Sequence, residues 1–128
     1  MAGVVDVRRA TIAVPSDLAD LGSARGAIVE QVVGWAAPVD PDVLALLVGE
    51  LVVNAVEHGA PPIEVSVEWD GSRVRVEVHD GAAALPVQQQ PVAGDDGGRG
   101  IWLVEHGART WGVSEDTSGK SVWFELGC

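Results

Sequence analysis

Two polar residues break the apolar run Leu44-Ala-Leu-Leu-Val-Gly-Glu-Leu-Val-Val-Asn-Ala-Val56, and they are the first candidates for chemistry: Glu50 and Asn54. Spaced four apart, they stand about 40° from each other around a helix, so a carboxylate and an amide are presented side by side. Glu57 falls on the same face, with His58 beside it. Asn is a weak helix former, and a buried Glu is costly unless it is paired. The plain alternative is a solvated edge with an i,i+4 hydrogen bond between the two. Asp80 ends an alternating stretch, where an Asp-Gly turn is the competing reading. Gly97-Gly98-Arg99-Gly100 stands ahead of a helix beginning near Ile101. Free backbone N–H groups at a helix start, with glycines allowing close approach, suit a phosphate. No Gly-Lys-Ser/Thr closes this loop and no strand directly precedes it, so neither the Walker nor the dinucleotide pattern applies. Gly119-Lys120-Ser121 leads into the last strand, where a simple hairpin turn would need no function.

These residues must be positioned by the elements around them. Ala10 to Val14 read as a short strand that Pro15 ends. Ser16 or Asp17 supplies an N-cap for a helix through Leu18, Leu21, Ala24, Ile28, Val32 and Trp35, which stops before Pro38. Asp40-Pro41-Asp42 starts a second helix through Leu44, Leu47, Val48, Leu51 and Ala55, and Gly59, Pro61 and Pro62 close it. Ile63, Val65, Val67 and Trp69 then alternate with polar residues, and Asp70-Gly71 turns the chain into Val74, Val76 and Val78. From Asp80 to Gly98 no periodicity survives, which in a compact domain marks a functional lid or a disordered piece. A short third helix runs through Ile101, Leu103 and Val104. Two strands near Thr110 to Val113 and Ser121 to Leu126 follow, joined by a turn containing Gly119. The order β-α-α-β-β-lid-α-β-β predicts an α+β fold with helices on one face of a largely antiparallel sheet.

The chain has 128 residues, the size of one domain, and a net charge of −11. That charge disfavours nonspecific nucleic-acid binding and docking on anionic lipid. With 47% apolar and 21% charged residues, the chain is too hydrophobic for an acidic disordered segment. Its single cysteine, Cys128, excludes an internal disulfide or a cysteine-based metal cage. No signal peptide shows after Arg8 and Arg9, and no apolar run is long enough to span a bilayer. A cytoplasmic protein is the expectation.

Taken in order, these motifs resemble those of the GHKL ATPase superfamily, which includes gyrase and the histidine kinases. Glu50-Leu-Val-Val-Asn54-Ala-Val-Glu-His58-Gly59 looks like the N box, Val78-His-Asp80-Gly81 like the first glycine box, and Gly98-Arg99-Gly100-Ile101 like the second. Gly119-Lys120-Ser121-Val122-Trp123 looks like the last. The short length and the form of the N box look most like the anti-sigma factor serine/threonine kinases and the actinobacterial single-domain ATP-binding regulators. The resemblance implies a two-layer α/β sandwich of Bergerat type with a mostly antiparallel, mixed sheet. Residues 1–9 would be a flexible tail, and 10–128 the ATPase domain, with an ATP lid at about 82–99.

The resemblance also implies roles and ligands, ATP and Mg²⁺. Asn54 would give its side-chain carbonyl to Mg²⁺, and Asp80 would accept the adenine amino hydrogen, with Ser121 supporting a water there. Gly98, Arg99, Gly100 and Ile101 would bring lid groups to the phosphates, with Lys120 adding positive charge. Glu50 would be the base that takes a proton from an incoming serine or from water; for His58, core packing or helix capping is the better reading. The implied partners are a sigma factor and an anti-anti-sigma protein, and a homodimer is favoured, for which the five tryptophans could supply apolar contact. The first glycine box departs from the family pattern, reading Asp80-Gly-Ala-Ala-Ala84. That departure keeps a second function open: a non-catalytic, nucleotide-dependent protein-binding module.

Overall fold

The computed structural model describes residues 7–14, 21–82, 104 and 106–127. Most of the expected lid, most of the expected third helix and Cys128 lie outside the described residues. The elements are β1 (Arg8–Val14), α1 (Leu21–Gly34), α2 (Pro41–His58), β2 (Ile63–Trp69), β3 (Arg73–Asp80), β4 (Thr110–Asp116) and β5 (Gly119–Gly127). The five strands form one sheet in the order β1-β2-β3-β5-β4, and every pairing is antiparallel. Both helices pack on the same sheet, α1 over β1 and β2, α2 over β2 and β3. The α+β reading with helices on one face therefore holds, and no described helix is long and apolar enough to cross a membrane.

The helices form where the periodicity placed them; the N-cap expected for the first, Ser16 or Asp17, lies outside the described residues. Ala24, Ile28 and Val32 of α1 recur every fourth residue, and all three are buried. The Asp40 carboxylate accepts the Asp42 N–H at 2.9 Å and the Val43 N–H at 3.5 Å, and Pro41 takes the first helical position, where no N–H is needed. From there α2 buries Leu44, Leu47, Val48, Leu51, Val52 and Ala55 against the sheet. Each large side chain among them contributes about 1.5–3 kcal/mol of burial. This packing holds the edge of α2 beside that stripe, with Glu50 and Asn54, in a fixed orientation.

The strands bury alternate residues: Ile63, Val65 and Val67, then Val74, Val76 and Val78, then Val122, Phe124 and Leu126. At the β2–β3 turn Asp70 accepts the N–H groups of Ser72 at 2.9 Å and Arg73 at 3.0 Å, and Gly71 takes the left-handed conformation with φ 94°. β1 begins at Arg8, two residues before the alternation from Ala10, because Arg8 pairs with Trp69 and the Arg9 guanidinium binds Glu68 at 3.0 Å. The turn between β4 and β5 falls at Thr117 and Ser118, so Gly119 belongs to β5, opposite Asp116. On the sheet face away from the helices, the Glu125 carboxylate accepts from Thr110 Oγ1 at 2.7 Å and lies 3.4 Å from Arg75. Arg75 also stacks on Trp123, 4.1 Å from the ring centroid.

Candidate functional site

Glu50 and Asn54 lie on the edge of α2 beside its buried stripe, and both are half-buried. Neither side chain makes a hydrogen bond or ion pair with a described residue, so the i,i+4 bond that their spacing permits is not formed. Glu50 lines a shallow groove of about 170 Å³ between α1 and α2, with Gly22, Arg25, Leu46, Gly49, Val52 and Val53. A Cβ at Gly49 would come within 3.2 Å of the Arg25 side chain, which therefore crosses α2 there. Sequence reasoning missed Arg25, because only the packing of α1 on α2 brings it to the Glu50 groove.

Asp80 ends β3 and is 1% exposed. Its Oδ1 accepts the Ala82 N–H at 2.8 Å and the Ala60 N–H at 3.4 Å, and its Oδ2 lies 3.8 Å from Lys120 Nζ. The bond to Ala82 is the local turn that Asp-Gly suggested, but the burial and the lysine go beyond what a turn needs. Three glycines enclose the residue. A Cβ at Gly59 would sit 2.5 Å from both the Ala55 carbonyl oxygen and Asp80 Cγ. At Gly81 it would meet the Pro61 carbonyl oxygen at 2.6 Å, and at Gly119, where φ is +144°, the Asp80 carbonyl oxygen at 1.9 Å. A buried carboxylate without partners is strongly unfavourable, and two N–H donors with an ammonium offset that cost. In this conformation a ligand reaches Asp80 only by displacing the atoms that cover it.

β5 decides what faces Asp80. Lys120 is its register partner, whereas Ser121 pairs with His79. Side chains alternate across a strand, so Lys120 shares the helix-covered face with Val122 and Phe124, while Ser121 shares the opposite face with Trp123 and Glu125. The hydroxyl expected near Asp80 is thus one residue out of phase, and a lysine only 4% exposed stands in that place. The same geometry takes Lys120 to the Asp80 carboxylate, the end of the site where the resemblance puts the base. His58 is exposed in the last turn of α2, 3.9 Å from Glu57, and packs into no core. Gly98, Arg99, Gly100 and Ile101 lie outside the described residues.

No group of three His, Cys, Asp or Glu that could hold a metal occurs among the described residues. Asn54 fits a supporting role for Mg²⁺, which usually keeps several waters and takes one or two protein oxygens together with substrate phosphates.

Residues 14–126 match the family model described as a histidine kinase-like ATPase domain. No curated protein matches the chain. Among solved structures, the histidine kinase domain from the Erythrobacter litoralis EL346 blue-light activated histidine kinase superposes with a TM-score of 0.54 at 22% sequence identity. The match covers 84% of this chain and 60% of that one, so the chain spans about 60% of the length of that domain and shares its fold.

Proposed function

The chain belongs to the histidine kinase-like ATPase domain family, and from that premise we propose that it binds ATP beside α2 and transfers the γ-phosphoryl group to a serine or threonine of a small partner protein. The observation that carries the proposal is the edge of α2, where Glu50 and Asn54 stand half-buried with no side-chain partner among the described residues. Phosphoryl transfer asks a protein mainly for positioning and charge neutralisation. Bound ATP supplies the phosphoryl group, and Mg²⁺ held through Asn54 would neutralise charge on the phosphates. Glu50 accepts the proton of the attacking hydroxyl as its oxygen bonds to phosphorus and the bond to the ADP oxygen breaks. Asp80 reads the base.

In this reading the chain acts as an anti-sigma factor that alternates between holding a sigma factor and phosphorylating an anti-anti-sigma antagonist. A net charge of −11 suits a partner with a basic surface, because complementary charge speeds encounter and sets register. Incubating the full chain with labelled ATP, Mg²⁺ and candidate antagonists tests it. Label should pass to one antagonist, and Glu50→Gln should abolish the transfer while the fold is kept. Transfer by Glu50→Gln at the wild-type rate would remove Glu50 as the base.

A second reading has its own observation. Asp80 is closed to solvent and paired internally with Lys120, as suits a module that binds nucleotide weakly and changes shape without chemistry. Calorimetric titration with ATP and ADP separates the two, since binding without turnover in the presence of every antagonist supports the module.

A further inference from the structure

We propose that Lys120 is a base-reading residue, which lets the site take purine nucleoside triphosphates with a 6-oxo group as well as ATP. The inference rests on the nucleotide reading above. Lys120 and Asp80 are direct partners across β3 and β5, and both project toward the face that α2 covers. Both are more than nine-tenths buried. The ammonium lies 3.8 Å from Asp80 Oδ2, an ion-pair contact too long for a hydrogen bond, and donates no hydrogen bond to a described residue. An ammonium carries three donors on a flexible stem, and the 3.8 Å contact with Asp80 commits none of them to a hydrogen bond. They are free to turn to an acceptor placed beside Asp80.

Asp80 alone offers only acceptors. Such a site suits the 6-amino group of adenine and opposes a 6-oxo group with negative charge. Buried polar groups left unpaired in this way typically cost an analogue about 10⁴-fold in discrimination. Lys120 adds a donor beside the acceptor. Adenine presents a donor at position 6 and an acceptor at N1; hypoxanthine and guanine present an acceptor at position 6 and a donor at N1. An Asp–Lys pair satisfies either order, with Lys120 donating to N1 in one case and to the 6-oxo oxygen in the other. Ser121 cannot substitute, because it sits on the other face of the sheet.

The test is calorimetry on the full chain with Mg²⁺ and either ATP or inosine triphosphate, whose base differs from adenine by the 6-oxo group and the N1 proton. Wild-type affinity for the two should agree within about tenfold, against the roughly 10⁴-fold gap expected of a carboxylate alone. Lys120→Met should weaken both nucleotides, ATP by roughly tenfold through the lost bond to N1 and inosine triphosphate by more than about 1,000-fold because its 6-oxo oxygen then faces Asp80 alone, and Lys120→Arg should keep most of the tolerance. Rejection of inosine triphosphate by a wild-type chain that binds ATP overturns the inference and leaves the nucleotide reading standing. Equal loss of both nucleotides in a folded Lys120→Met protein also overturns it. Binding of neither nucleotide by the folded wild type removes both readings. Should Lys120→Met fail to fold, the wild-type ratio and the arginine variant decide.

Discussion

Adding one methyl group at Gly59 tests the geometry around Asp80. The backbone φ at Gly59 is −100°, which alanine adopts freely, so no conformational strain enters. The whole effect comes from space. The new Cβ would lie 2.5 Å from the Ala55 carbonyl oxygen, 2.5 Å from Asp80 Cγ and 2.6 Å from Asp80 Oδ2. Both neighbours must give: the closing hydrogen bond of α2, Gly59 N–H to Ala55 O at 2.8 Å, is strained, and the carboxylate is pushed from the Ala82 N–H. Overpacking of this kind costs about 1–3 kcal/mol. Restricting the unfolded chain returns about 0.4–1 kcal/mol. Gly59→Ala should therefore destabilise by about 1–2 kcal/mol, which for a chain of this size lowers Tm by about 3–8 °C. Urea unfolding and thermal melts measure it. Asp80→Ala in the same background removes the side-chain half of the obstruction and leaves the Ala55 carbonyl oxygen, so the double variant should lose about 1 kcal/mol less than the sum of the singles. A Gly59→Ala protein as stable as wild type, or a double variant that is strictly additive, would refute the contact.

Gly26 is the converse case: nothing lies within 4 Å of a Cβ there, and Gly26→Ala inside α1 should raise stability by about 0.5–1 kcal/mol in the same urea assay. Trp69 buries an indole N–H that has no hydrogen-bond partner among the described residues. Trp69→Phe removes that donor together with part of the ring's packing against the core, so the two effects offset and stability should stay within about 1 kcal/mol of wild type, whereas a loss above about 2 kcal/mol would show that the lost packing outweighs the unpaired N–H. Asp70 is held below the ordinary carboxylate range, first by the Ser72 N–H and then by the Arg73 N–H, and Asp116 is held low by the Ser118 hydroxyl and N–H. A carboxylate depressed by folding stabilises above its unfolded value and loses that contribution as pH falls through the folded one. These two turns should therefore keep their stabilisation at neutral pH and lose it only below about pH 4, with NMR titration midpoints below the usual range.

The helices were legible because their signals are local. Asp40-Pro41 fixes the start of α2, its apolar spacing fixes the buried side, and Glu50 and Asn54 then fall beside that side by arithmetic alone. The Asp70-Gly71 turn sets the β2–β3 register just as directly. Strand ends were less legible, since Arg8 joins β1 only through partners about sixty residues away, Trp69 for its own backbone and Glu68 for its neighbour Arg9. Arg25 beside Glu50 left no mark in the sequence, because helix packing makes that meeting.

What the sequence by itself determined is the set of elements, their amphipathic faces and the helix edge that carries Glu50 and Asn54. What only the tertiary structure decided is what Asp80 meets. Lys120 and Ser121 are neighbours in the chain, and the motif favoured the hydroxyl. The pairing of β5 with β3 sets Lys120 opposite Asp80, and the two-residue alternation of a strand then turns Ser121 to the other face. A register between strands forty residues apart is fixed by the packing of the whole sheet, and no local pattern carries it.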